Sequence, residues 1–312
     1  MPKTALLFPG QGAQHVGMGK DLCEAFPVAR ECFEAADKAL GFALSKVCFE
    51  GPESELNRTD VSQPAILVHS WAVLEVLKSL DKGRALIERA RIAAGLSLGE
   101  YSALAAAGAM SWLDAAKLVR ARGRYMQAAC DAKPSTMASI VGLEDDKLEA
   151  AVAPARSLGV VVLANFNAPG QVAISGDKAA IEEAMKLAKA AGAKMTVPLA
   201  VAGAFHSPLM EPARMKLAAE IESTQFHSPR VGVICNVDAK EHSDPATLKT
   251  NLVKQLTAPV LWAKSMQALV DQGYDEFVEL GPGTVLAGLL KRIAKSAARS
   301  SVGTADELKA FA

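Results

Sequence analysis

Residues 90–109, "ARIAAGLSLGEYSALAAAGA", constrain the fold more than any other stretch of this 312-residue chain. The first six residues are mostly small and apolar and read as a buried strand. The alanine-rich run that follows reads as a helix. Between them stands Gly95-Leu96-Ser97-Leu98-Gly99, a Gly-x-Ser-x-Gly junction. A strand entering a helix through so tight a turn implies an α/β fold, a sheet layered with helices. The flanks of such a turn have no room for side chains, so glycine is required there. The turn lifts the serine hydroxyl above the sheet edge, before a helix N-terminus whose partial positive charge favours a developing oxyanion. Ser97 is thus a candidate nucleophile, and the backbone N–H of Leu98 a candidate donor to that oxyanion. An ordinary strand–helix connection is the competing reading of the pattern alone.

The rest of the chain supports an α/β plan. "TALLF" reads as a strand that ends at Pro9-Gly10. Helical patterns follow around 18–40. "SQPAILVHSWAVLEVLKSL" predicts a further helix, with Ile66, Val73, Leu74 and Leu77 on one apolar face. Residues 133–201 have their own rhythm. "TMASIVGL" is a strand and "EDDKLEAAVAPARSL" a helix. "VVVLANFN" and "QVAISG" are strands joined at Pro169-Gly170, "KAAIEEAMKLAKAAG" is a helix and "AKMTVPLAV" a strand. That β-α-β-β-α-β order is ferredoxin-like. The expected organisation is a large α/β subdomain from residues 1–132 and 202–312, with a small ferredoxin-like subdomain, 133–201, inserted in it. In the return segment, "SPLMEPARMKLAAEIEST" predicts a helix capped by Ser207, with Pro208 as its first residue. The strand "VGVICNV", a helix near 246–257 and the strand "DEFVEL" come next. "GPGTVLAGLLKR" is expected to close the fold as a turn and helix.

Composition narrows the function. The formal net charge is zero, so the chain lacks the basic field that nucleic-acid binding usually needs. No uncharged apolar stretch is long enough for a membrane span. Cys23, Cys32, Cys48, Cys130 and Cys235 are scattered and form no CxxC pair. Free thiols in a reducing compartment, and no metal site, are the expectation. The opening "MPKTALLFPGQG" enters a strand almost at once, so no signal or transit segment is expected. These features imply a soluble intracellular protein.

A serine nucleophile needs a base. Of the five histidines, His69 lies within a predicted helix and reads as packed or half-exposed. His227 and His242 lie in polar, turn-like segments and read as solvated. His15, in a glycine-rich loop, remains open. His206 stands in "AVAGAFHSPLMEP", between an apolar strand and a helix start. It also follows the serine in the chain, as the base does in hydrolase-like folds. It is the favoured base, a local helix cap being the alternative.

One arginine interrupts an apolar face. In "DAAKLVRARGRYMQAAC" the helical stripe runs Ala115, Leu118, Val119, Arg122, Met126, Ala129. A cation there needs a partner. The partner is either a structural carboxylate or a carboxylate that arrives with a substrate, held in a planar two-bond grip. The loop "FPGQGAQHVGMGK" fits neither the P-loop nor the dinucleotide template. It can still present backbone N–H groups to an oxyanion, and Gln11 is placed for that.

These motifs in this order resemble one family. "FPGQG", "GLSLGEYSA", "RGRYMQ", "NFNAPGQVAISG", "AGAFHSPLM", "NVDA", "LVKQLTAPVLW" and "ELGPG" are similar to those of malonyl-CoA:acyl carrier protein transacylases, over essentially the whole chain. The resemblance implies a hydrolase-like α/β subdomain carrying a ferredoxin-like one. It implies Ser97 as nucleophile, His206 as base and acid, and Arg122 as the clamp on a malonyl carboxylate. Gln11 and Leu98 resemble the oxyanion hole. Gln255 matches the residue whose backbone carbonyl steadies the histidine. Gln63, Asn165 and Phe205 match residues that line the acyl site. The implied partners are malonyl-CoA and acyl carrier protein, with no cofactor. A monomer in a bacterial cytoplasm is expected, with a plastid stroma as the alternative.

One departure stands out: Leu96 occupies the place where the family usually has histidine. In an elbow that side chain points away from the nucleophile, so a change of packing is expected, not of chemistry. Three other readings compete. A thioesterase explains Ser97 and His206 but gives Arg122 no task. A non-catalytic carrier-protein-binding module leaves the intact pair unexplained. An acyltransferase domain cut from a polyketide synthase is disfavoured by the early stop after "GPGTVLAGLLKR".

Overall fold

Every residue of the first strand, β1 (Thr4–Phe8), is buried, which requires cover on both faces of its sheet. The computed structural model, which describes residues 2–312, provides that cover. The remaining strands are β2 (Ala90–Gly95), β3 (Ser135–Val141), β4 (Val161–Ala168), β5 (Gln171–Asp177), β6 (Met195–Pro198), β7 (Gly232–Cys235), β8 (Lys240–His242), β9 (Glu276–Leu280) and β10 (Ala298–Val302). Six of them form one sheet in the order β10-β9-β1-β2-β7-β8. All its pairings are parallel except β7 with β8. Alternate residues face opposite cores. Leu6, Phe8, Ala93 and Val233 join the core built with helices Pro27–Leu40, Thr59–Ser79 and Trp112–Ala132. Ala5, Leu7, Ile92, Ala94 and Ile234 join the other, with Trp262, Met266, Leu286 and Leu290 from helices Trp262–Asp271 and Val285–Ile293.

β2 is central, so its C-terminal end opens at the middle of the sheet edge, where ligands of parallel sheets bind. The turn after it is as tight as its glycines suggest. A Cβ on Gly95 would lie 1.9 Å from the carbonyl oxygen of Gly99, and one on Gly99 2.1 Å from that of Phe8. No side chain fits at either place.

The second sheet is antiparallel throughout, in the order β4-β5-β3-β6. Numbered within this unit alone, that is the ferredoxin-like order. Its core forms with helices Asp145–Val152 and Lys178–Ala190. Among the ties that connect it to the segments beyond, three lie near His206 and after Gln255. Ala204 N–H donates to Ser135 Oγ at 3.1 Å, and Ser175 Oγ donates to the Phe205 carbonyl at 2.6 Å. Val260 adds a short parallel bridge to β4, with N–H···O distances of 2.8 and 2.9 Å to Ala164 and from Phe166.

Several expected boundaries shift. Helix Thr59–Ser79 starts earlier and is buried almost all round, not on one face. It is wrapped by helices Pro27–Leu40, Asp81–Arg89, Gly99–Ala106 and Trp112–Ala132. The helix in "EDDKLEAAVAPARSL" is α only to Val152. It then tightens to a 3₁₀ turn, Ala153–Leu158, since Pro154 has no N–H to continue the ladder. Ser207 does cap, accepting from Leu209 N–H at 3.2 Å, but it caps a 3₁₀ turn, Pro208–Met210, ahead of helix Glu211–Ser223. "AKMTVPLAV" is strand only over β6. The turn and helix of "GPGTVLAGLLKR" do not close the fold. β10 follows as an edge strand, then helix Ala305–Lys309 with a Thr304–Glu307 capping box. Among the described residues no helix is long and apolar enough to cross a membrane.

Candidate active site

Three adjacent parallel strands end together. β1 leads to Gln11, β2 to Ser97 and β7 to Asn236. Ser97 has φ +54°, the left-handed conformation of a strained elbow. Asn236 holds that strain in place. Its Oδ1 accepts from Ser97 N–H at 2.7 Å, and its Nδ2 donates to the Gly95 carbonyl at 2.8 Å.

The Ser97 hydroxyl oxygen lies 2.7 Å from His206 Nε2. His206 is also left-handed, with φ +55°, and is buried. Its Nδ1 lies 2.8 Å from the backbone carbonyl of Gln255. A carbonyl only accepts, so Nδ1 carries the hydrogen and the Nε2 lone pair faces Ser97. Burial, and then the nearby Arg122 charge, push the imidazole pKa down to about 4. It is neutral at pH 7 and able to take a proton.

Arg122 is 1% exposed and projects from helix Trp112–Ala132 into this cluster. Its Nη1 donates to Gln63 Oε1 at 2.7 Å. Its Nη2 donates to Ser97 Oγ at 2.9 Å and to Gln255 Oε1 at 3.2 Å. The guanidinium carbon lies 5.7 Å from the centre of the Tyr101 ring, and Nε has no partner. Among the described residues no carboxylate forms an ion pair with it. Of the two partners left open by the sequence, the structural carboxylate is therefore not in contact.

Gln63 is fully buried and engaged with Arg122 and, at 3.5 Å, with Met126 Sδ. Gln255 reaches His206 through its backbone, and its side chain does more. Its Nε2 donates to the Ser97 carbonyl at 2.9 Å and to Glu100 Oε2 at 2.8 Å. Gln11 follows Gly10, whose backbone is pressed against Leu96, and is half-buried. Among the described residues the backbone N–H groups of Gln11 and Leu98 meet no acceptor. Phe205 is buried beside His206. Asn165 is buried in β4 at the Val260 bridge. Leu96 packs toward the core on the opposite side of the sheet from helix Thr59–Ser79.

The other histidines touch none of this. His15 and His227 are exposed. His69 is buried, its Nδ1 unpartnered, and burial lowers its pKa to about 4. His242 is partly buried and lies 2.8 Å from Asp238, not freely solvated as its segment suggested.

Two residues of the cluster escaped sequence reasoning. Asn236 was visible only as an asparagine at a strand end, inside "NVDA". Glu100 was visible only as an acid in an alanine-rich helix. Its Oε2 accepts from Asn236 N–H at 2.9 Å as well as from Gln255. Burial raises its pKa to about 7, against the pull of those hydrogen bonds and of Arg122.

A neutral imidazole on a strained serine, next to unpaired N–H groups and a buried cation, can perform acyl transfer by nucleophilic catalysis. Known proteins agree with that chemistry. The acyl transferase domain family model matches residues 5–308. A malonyl CoA-acyl carrier protein transacylase of Staphylococcus aureus is 40% identical over all of this chain and 99% of its own length. The crystal structure of an acyl carrier protein S-malonyltransferase from Vibrio cholerae superposes with a TM-score of 0.93 at 41% identity, over 99% of this chain and all of that one. A malonyl-transacylase solved in complex with its type II PKS acyl-carrier protein gives 0.93 at 39%, over 99% and 98%. With this order of strands, this serine elbow and these relatives, the chain belongs to the acyl transferase domain family.

Proposed function

We propose that this protein transfers the malonyl group of malonyl-CoA to the phosphopantetheine thiol of acyl carrier protein, supplying malonyl-carrier protein for fatty acid synthesis. The observation that carries the proposal is Arg122, a buried guanidinium that bonds to the nucleophile yet has no carboxylate of its own. A malonyl group brings that carboxylate; an acetyl group does not. The names of the relatives point to the same substrate and the same carrier.

The reaction runs as two acyl transfers through Ser97. His206 Nε2 takes the hydroxyl proton as Ser97 Oγ attacks the thioester carbonyl. Backbone N–H groups of Leu98 and Gln11 receive the oxyanion. The C–S bond breaks, and coenzyme A leaves as a thiol with the proton from His206. The carrier's thiol then gives its proton to His206 and attacks the malonyl-serine. The tetrahedral intermediate collapses, and Ser97 regains its proton. Arg122, with Gln63 beside it, fixes the carboxylate so that the acyl carbonyl meets the hydroxyl at a productive angle. Gln255 keeps the imidazole in the required tautomer through its carbonyl. Phe205 and Asn165 bound the cleft beside the small subdomain, taken as residues 133–201. The protein acts as a monomer in the bacterial cytoplasm and needs no cofactor or metal.

Intact mass spectrometry tests this proposal. Malonyl-CoA alone should leave one malonyl group on the protein, and added holo carrier protein should discharge it onto the carrier. Discharge to water at the same rate with or without carrier would make the protein a thioesterase.

A further inference from the structure

Arg122 has no touching carboxylate, yet one lies a single residue away. Glu100, in the first turn of helix Gly99–Ala106, is fully buried. Gln255 stands between them. Its Nε2 donates to Glu100 Oε2 at 2.8 Å, and its Oε1 accepts from Arg122 Nη2 at 3.2 Å. One end of the amide faces an anion and the other a cation, so each contact polarises the amide in favour of the other. The amide also cannot turn over freely. Nε2 serves the Ser97 carbonyl at 2.9 Å as well as Glu100, and both bonds would be lost.

We propose that Glu100 is the counter-charge of Arg122, held one amide away by Gln255, so that the buried guanidinium is balanced at a distance and its fork stays free to grip an incoming acyl carboxylate. The proposal rests on the carboxylate-grip reading of Arg122. A directly bonded carboxylate would occupy the fork that the substrate needs. With no counter-charge at all, a buried cation would be strongly disfavoured. The interposed amide avoids both. Glu100 touches neither substrate nor reacting atoms; it is a positioning residue.

Glu100 and the acyl carboxylate then compete for one positive charge, so ionised Glu100 weakens malonyl binding and neutral Glu100 strengthens it. Four titratable or charged groups surround Glu100: Arg122 from helix Trp112–Ala132, Cys235 from β7, Tyr101 from its own helix, and His206 across Ser97. Burial raises the Cys235 thiol and the Tyr101 phenol further from ionisation and keeps His206 neutral. Glu100, raised to about 7, is the group whose charge changes near neutrality.

The test compares KM and kcat for malonyl-CoA and acetyl-CoA from about pH 6 to about pH 9, in the wild type and Glu100→Gln. Acetyl-CoA cancels titration of the coenzyme itself. In the wild type the ratio of malonyl to acetyl KM should rise about three- to tenfold across this range, the size of effect one screened charge exerts. In Glu100→Gln, which can keep both accepted hydrogen bonds, the ratio should stay at its low-pH value. Glu100→Asp, which retains a carboxylate, should keep a slope. A flat wild-type ratio, or a slope that survives in Glu100→Gln, overturns the proposal. So does a Glu100→Gln variant that only lowers kcat for both acyl groups alike. The wild-type profile needs no variant to fold. Arg122→Ala in the same assay separates the two readings. An unchanged malonyl-to-acetyl ratio there removes the grip itself. A changed ratio beside a flat wild-type profile removes only the counter-charge.

Discussion

Arg122 Nη2 and Ser97 Oγ are 2.9 Å apart, so the cation proposed to hold the acyl carboxylate is also bonded to the proposed nucleophile. The hydroxyl oxygen accepts from Arg122 while the hydroxyl hydrogen faces His206 Nε2, 2.7 Å away. An arriving carboxylate would compete with that oxygen for the arginine and leave the hydroxyl bonded to His206 alone. Arg122→Ala should therefore cost malonyl transfer two to three orders of magnitude, in line with about 3–5 kcal/mol for breaking a buried charged pair. Acetyl transfer should fall far less, and Arg122→Lys should restore only part of the loss, because a point charge lacks the two-bond fork. Methylmalonyl-CoA, crowded by Phe205, should be poor with both proteins. Rates for the three acyl-CoAs decide the matter. An equal loss for all three would make Arg122 structural.

Peptide mapping after brief exposure to malonyl-CoA should place the acyl group on Ser97. Ser102 and Cys130 are the nearby rivals by chemistry, but both are buried, and burial raises the Cys130 thiol to about 11. Ser97→Ala should carry no acyl group. Label on either rival would defeat the assignment.

His206→Ala should slow acylation about a hundred- to ten-thousand-fold, and His15→Ala should leave it near wild type. Since His206 is neutral down to about pH 4, acylation should hold its rate through mildly acidic pH and fall only on approach to that value. Stopped-flow acylation across pH checks both points. A midpoint near the ordinary histidine value, or equal losses in the two variants, would contradict the assignment.

His69 gives a prediction about stability alone. Burial depresses its pKa from 6.5 to about 4, so the unfolded chain binds this proton first as pH falls. Its contribution is fully present above the unfolded value and is lost as pH falls toward the folded one. His206 behaves the same way. Glu100, raised from 4.5 to about 7, acts in the opposite sense over most of that range. His69→Gln should therefore reduce the drop in unfolding free energy between about pH 6.5 and about pH 4 by about 3 kcal/mol. Urea titrations at several pH values measure it. An unchanged slope would mean that His69 is charged, or already open, in the folded state.

Leu96→His restores the residue usual in the family. Leu96 packs away from Ser97, with its Cδ2 close against Gly10. Malonyl transfer should stay within a few-fold of wild type, while the melting temperature shifts with the loss of apolar packing. A change in kcat of tenfold or more would show that this position reaches the chemistry after all.

Ser97 and Arg122 were legible because each breaks its local pattern, one as a hydroxyl between two glycines, the other as a cation on an apolar stripe. His206 was legible as a polar residue between a strand and a helix start. The roles of Gln63 and Gln255 came only through resemblance. Asn236 and Glu100 carry no local signal, since their partners lie far away in the chain. Asn236 holds Ser97 across 139 positions, and Glu100 holds Asn236 across 136. β10 escaped for another reason. Pairing on one side lets "ARSSV" be a strand without an apolar run. The extra burial of helix Thr59–Ser79 depends on how many neighbours surround it, which periodicity cannot count.

The ties from Ser135, Ser175 and β4 give the two halves of the proposed catalytic pair different owners. Ser97 rides on the large parallel sheet. The loop of His206 and the segment after Gln255 are fastened to three strands of the small one. The 2.7 Å between Oγ and Nε2 is therefore a gauge of how the two sheets are registered. Rotation of one sheet against the other would stretch that contact. Damage to the small sheet's interior, at Ile140 or Ile174 for example, would show first as lost proton transfer and only later as unfolding.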